Sequence, residues 1–96
     1  MTSNKLLRRM KMENLKLLVL MNSQILLTQI DEVSTELGEP DCKLVEPFVV
    51  TPTGELVPWL IEYTTQNSYM IHSDKILTIC DPSDKLRKKY KSLLEG

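Results

Sequence analysis

The side chains of this 96-residue chain that could carry chemistry are one histidine, two cysteines and thirteen carboxylates. The histidine sits in a polar knot, His72-Ser73-Asp74-Lys75, between the apolar runs Tyr69-Met70-Ile71 and Ile76-Leu77-Thr78-Ile79. An imidazole acting as a general base needs a nucleophile within hydrogen-bond reach, and the sequence places none beside it. Cys42 and Cys80 are separated by 38 positions, in neither a metal-ligand spacing nor an activating context. No glycine-rich phosphate loop occurs, and no His, Cys and carboxylate set has ligand spacing. The reading is non-catalytic, with no metal and no cofactor. With no secretory leader in the chain, both thiols are expected to be reduced, buried and inert.

The elements that must position the knot follow from periodicity. Leu6, Leu7 and Met10 recur at helical spacing behind Thr2-Ser3-Asn4, predicting a short helix over residues 4–12. Leu15–Met21 is a dense apolar run. Asn22-Ser23 then suggests a hairpin turn, because asparagine tolerates positive φ. The second strand should run from Gln24 to Val33, with Leu26, Thr28 and Ile30 on one face and Ile25, Leu27 and Gln29 on the other. Ser34–Asp41 is a loop by composition, containing Gly38 and Pro40. Cys42–Thr51 reads as a third strand with Leu44, Phe48 and Val50 alternating, and Pro47 requires an edge or a bulge there.

Pro52-Thr53-Gly54-Glu55 is the clearest turn. Leu56–Thr65 reads as a fourth strand, with Val57, Trp59, Ile61 and Tyr63 on one face, and the knot separates the last two apolar runs. Asp81 and Pro82 open a closing helix over residues 82–95, whose stripe is Leu86, Tyr90, Leu93 and Leu94. One domain results, mainly β, with residues 15–80 forming a small, strongly bent five-stranded antiparallel barrel between two helices. Only 5% of the residues are aromatic, so aliphatic side chains must fill the core.

The net charge of −1 conceals a strong partition. Lys5, Arg8, Arg9 and Lys11 make the first dozen residues basic, whereas Asp31–Glu62 carries eight acids against Lys43 alone. A basic segment can meet phosphates or can be a solvated helix face, and the sequence leaves both open. No apolar run approaches the length of a membrane span.

The stretch Ile71-His72-Ser73-Asp74-Lys75-Ile76-Leu77-Thr78-Ile79 resembles the second signature of the Sm-like (LSm) RNA-binding family. Leu17-Leu18-Val19-Leu20-Met21-Asn22-Ser23-Gln24 is similar to the start of the first signature, and Val33–Gly38 falls at that family's loop. The resemblance covers about residues 4–80 and is closest to divergent phage-type members. Ser34 and Gly38 stand at the family's loop aspartate and asparagine, and His72-Ser73 stands at its arginine-glycine pair. The implied fold is the Sm-like, SH3-like barrel. The implied function is a ring-forming protein that binds single-stranded RNA or DNA and serves in its processing.

On this resemblance the nucleic-acid-binding residues would be His72, Ser73, Lys75, Ser34 and Gly38, joined by Lys5, Arg8 and Arg9. Family members pair the fourth strand of one subunit with the fifth strand of the next, so Trp59, Ile61, Tyr63, Leu77 and Ile79 would form the homo-oligomer contact. The implied location is the cytoplasm of a bacterium or a phage-infected host, with no membrane partner. The competing expectation is a scaffold or adaptor ring that uses the barrel to assemble and binds another protein.

Overall fold

A computed structural model describes residues 14–95. The expected helix over residues 4–12, with Lys5, Arg8 and Arg9, lies outside them. Strands β1 (Leu15–Leu20), β2 (Ile25–Glu32), β3 (Cys42–Val50), β4 (Leu56–Pro58), β5 (Ser68–Ile71) and β6 (Ile76–Cys80) form one antiparallel sheet, and helix α1 (Asp84–Glu95) follows it. The order is β4–β3–β2–β1–β6, with β5 also paired to β3. The edge of β3 opposite β2 is divided between two strands. β5 pairs with Cys42–Val45, while Phe48, Val49 and Val50 pair in turn with Pro58, Val57 and Leu56 of β4.

The β1–β2 hairpin closes through Met21-Asn22-Ser23. The Ser23 amide donates to the Leu20 carbonyl at 2.9 Å, and Ser23 itself takes the left-handed conformation, φ 72°. This is the three-residue hairpin loop whose last position usually falls to glycine. The left-handed residue is therefore Ser23 rather than Asn22. Asn22 contributes instead through its side-chain oxygen, which accepts from the Gln24 amide at 3.0 Å.

Alternation along β2 is as the sequence predicts. Leu26 and Ile30 face one core cluster, with Leu18, Leu20 and Leu44, while Leu27 faces another with Leu15, Phe48 and Tyr90. In β3 the expected single face for Leu44, Phe48 and Val50 is broken. Leu44 joins the first of these clusters, and Phe48 and Val50 join the second. The cause is a bulge at Glu46, φ 53°, where the β2–β3 register also shifts between Leu27 and Gln29. One extra residue reverses the side-chain parity and bends the strand. Pro47 sits in this break, where no ladder position requires its missing N–H.

The expected fourth strand, Leu56–Thr65, ends at Pro58. Residues 59–63 form turns, with Leu60 left-handed at φ 60°, and pairing resumes only at Ser68. The sheet thus has six strands, and it is open: among the described residues β6 pairs only with β1.

Helix α1 begins at Asp84 and is capped by Ser83 rather than Asp81. The Ser83 hydroxyl accepts from the Leu86 amide at 3.3 Å. Asp81 instead pairs with Lys16 at 2.6 Å, which holds its carboxyl below the usual range. Tyr90 is fully buried, and Leu86 and Leu94 pack beside it. Leu93 of the expected stripe is half exposed. Leucine dominates the core, each fully buried side chain contributing about 1.5–3 kcal/mol.

Candidate functional site at the β5–β6 turn

The polar knot forms a short 3-10 turn, Ser73–Lys75, between β5 and β6. Extended backbone at His72 and Ile76 flanks it, and the Lys75 amide closes onto the His72 carbonyl at 3.1 Å. The Lys75 carbonyl accepts from the Met21 amide at 2.9 Å, which fastens the turn to the β1–β2 hairpin. His72 is half-buried, while Ser73, Asp74 and Lys75 are exposed.

The residue that organises this turn is Asp41, 32 positions away in the chain and marked by no local sequence pattern. Its carboxylate accepts from the Ser73 amide and from the Ser73 hydroxyl, both at 2.8 Å. Those two bonds, amide first, hold the Asp41 carboxyl below its ordinary range, and the charge of His72 adds to the effect. The Asp41 carbonyl accepts from the Val33 amide at 2.9 Å. Asp41 therefore ties the base of the 33–41 loop to the His72 turn. Ser34 lies one residue beyond that tie, whereas Gly38, φ 90°, lies at the far end of the loop in a turn closed by Glu39 onto Glu36. The structure brings Ser73 and the base of the loop together and leaves Gly38 apart.

A groove of about 710 Å³ opens beside the turn. One wall is apolar, built by Ile76, Leu77 and Ile79, and its rim carries Asp31, Glu32 and Asp41. Cys42 also lines it as a buried thiol, pushed above its ordinary pKa by burial and then by Asp41 and Glu32. Cys80 is exposed, contrary to the expectation of two buried cysteines.

The five residues expected at a subunit contact separate into two places. Leu77 and Ile79 lie on β6, 61% and 54% exposed. Ile61 and Tyr63 lie on the loop after β4, and Tyr63 is 82% exposed. Trp59 is half-buried against the core; its indole N–H donates to the Gln24 side chain at 3.3 Å, and its ring meets Tyr69 edge-on at 5.6 Å. The basic side chains Lys85, Arg87, Lys88, Lys89 and Lys91 all belong to α1. Among the described residues no helix is long and apolar enough to cross a membrane.

These features define a small mainly-β module: an open, bulged antiparallel sheet with one packed helix and a carboxylate-anchored turn beside an apolar groove. The chain belongs to the family described as a family of unknown function (DUF6561), which matches residues 13–95. No curated protein matches the chain.

Proposed function

We propose that this protein is a non-catalytic, Sm-like assembly module whose copies close into a ring and bind single-stranded nucleic acid. The observation that carries the reading is the strand order, which among the described residues leaves β6 and the β4/β5 edge as the two outer edges of one bent sheet. Unpaired edges carry free backbone donors and acceptors, and a head-to-tail pairing of one edge with the other would generate a ring. The exposed Leu77 and Ile79 on β6 supply apolar area for such a contact. On this reading the bulge at Glu46 would help to bend the sheet toward a barrel, and the 3-10 turn at Ser73–Lys75 would face the ring's central opening. Around that opening His72 could stack on a base and Lys75 could meet a phosphate, with Ser34 beside them. Lys5, Arg8 and Arg9 would add phosphate contacts, multiplied by the number of copies.

Light scattering on the purified protein tests assembly, and a monomer at micromolar concentration would overturn it. Fluorescence anisotropy with labelled oligo-U, oligo-A and oligo-dT at low salt tests the ligand. Binding that weakens with salt and with His72→Ala is expected. No binding to any of the three rejects the nucleic-acid part.

One observation favours the second reading, a scaffold ring that binds another protein. Asp41 already occupies the Ser73 amide and hydroxyl, the donors that a phosphate at this turn would use. A stable oligomer without nucleic-acid affinity is the outcome that this reading expects.

A further inference from the structure

The loop between β2 and β3 holds one large apolar side chain clear of the protein. Leu37 is 105% exposed, more than any other large apolar residue described. It stands in a turn that the Glu39 amide closes onto the Glu36 carbonyl at 3.1 Å, and the Glu36 amide donates in return to the Glu39 carboxylate at 3.3 Å. Elsewhere, α1 and the start of β4 leave a notch of about 280 Å³, lined by Glu55, Leu56, Lys89, Ser92 and Leu93. We propose that this notch is the docking site for the Glu36–Glu39 turn of a second copy of the chain. Leu37 enters beside Leu56 and Leu93, and Glu36 and Glu39 face the lysines of α1.

Three observations support the choice of occupant. The first is charge. From Glu32 to Asp41 the loop carries four acids and no base, whereas residues 85–91 of α1 carry five bases and no acid. Lys85 and Lys88 lie one helical turn before Lys89 and Ser92, on the same face, and make no ion pair among the described residues. Lys89 reaches the Gly54 carbonyl at 3.0 Å, so its stem forms a wall of the notch. The second is the apolar match. Leu93 is half exposed at the notch, and a second leucine would remove that surface from water. The third is presentation. The turn is closed by its own hydrogen bonds, with Gly38 supplying a positive φ, so Leu37 is held out at little cost in conformational freedom on docking. Because Leu37 is fully exposed in its own chain, the notch that it fills belongs to another copy. The contact is separate from the strand pairing of the ring. Pairing at a sheet edge uses backbone groups in the plane of the sheet, whereas the notch lies between α1 and the Leu56 side chain. A turn in a notch buries far less than the roughly 1,600 Å² of a standard interface, so one contact alone is weak, and copies gathered in a ring add theirs together.

Disulfide trapping between two populations of the full chain tests the proposal. Both carry Cys80→Ser. One adds Thr35→Cys beside the turn, and the other adds Ser92→Cys in the notch with a tag that distinguishes it by size. In the control, Glu62→Cys on the loop after β4 takes the place of Ser92→Cys. Diamide oxidation of the mixture should give a mixed cross-link on the order of fivefold above the control, falling as salt is raised. Leu37→Asp in the first population should return it to the control level. Lys85→Glu with Lys88→Glu in the second should weaken it, and adding Glu36→Lys to the first should restore part of it. Circular dichroism of each variant checks that the sheet is intact. Mixed cross-linking no better than the control overturns the proposal, as does a cross-link indifferent to Leu37→Asp. Light scattering reports the ring and trapping reports the notch. A monomer that cross-links therefore upholds this contact without the ring, and a ring that does not cross-link upholds the ring without this contact.

Discussion

The Tyr90 hydroxyl lies 3.0 Å from the Glu46 carbonyl, linking the closing helix to the left-handed residue at which β3 bends. The same hydroxyl is 3.2 Å from the Val45 carbonyl and accepts from the Gln29 side-chain amide at 3.1 Å. The ring meets Phe48 edge-on at 5.5 Å, just past the bulge. A bulge turns backbone carbonyls out of the ladder, and inside a core these need a donor. α1 supplies it. Tyr90→Phe keeps the ring and removes the hydroxyl, so it should cost about 1–2 kcal/mol. Urea denaturation reads this as a lowered midpoint at unchanged slope. An unchanged midpoint would separate the helix from the bend.

Asp41 should make stability depend on pH. Its folded-state pKa lies below its ordinary value, so its contribution is complete above about pH 4 and is lost as pH falls through the folded value. Asp41→Asn should therefore be less stable than the parent protein at pH 7, and the two should converge in strong acid. Thermal melts from pH 7 to pH 2 measure the gap. A gap that stays constant over this range would mean that the carboxylate charge is irrelevant to the turn.

Ser23 carries a left-handed backbone without the freedom of glycine. Relief of the Cβ clash is worth about 1–2 kcal/mol, and the extra entropy of an unfolded glycine takes back about 0.5–1 kcal/mol. Ser23→Gly should stabilise the protein by roughly 0.5–1 kcal/mol on the same balance. Chemical denaturation at neutral pH decides it, and a destabilised variant would refute the hairpin geometry.

The β6 wall gives the assembly proposal its sharpest test. Leu77→Lys with Ile79→Lys replaces two exposed apolar side chains, so the fold should survive with circular dichroism unchanged. Light scattering should show the assembled mass falling to that of the monomer. A double variant that keeps its full mass would remove β6 from the subunit contact.

Much of the sheet was legible because a strand with unbroken period-two alternation reports its own faces, as β2 does from Leu26 to Ile30. β3 misled beyond Val45 because the left-handed turn of Glu46 reverses parity, and nothing in the residue type announces it. Pro47 did signal a bulge. The alternation Val57, Trp59, Ile61, Tyr63 imitated a strand, yet Pro58 and the left-handed Leu60 send the chain into a loop. The organising contact of the candidate site was illegible for another reason. Asp41 and Ser73 are 32 positions apart, and a carboxylate that caps a distant turn leaves no local pattern.

Because β5 and β4 share one edge of β3, residues 59–67 are an outgrowth from what would otherwise be a continuous strand. Both anchor points are fixed by pairing with β3, so the tip around Glu62 can be lengthened without altering any rung of the ladder. This is the natural place to graft a fluorescent reporter or an affinity handle while both chain ends stay native.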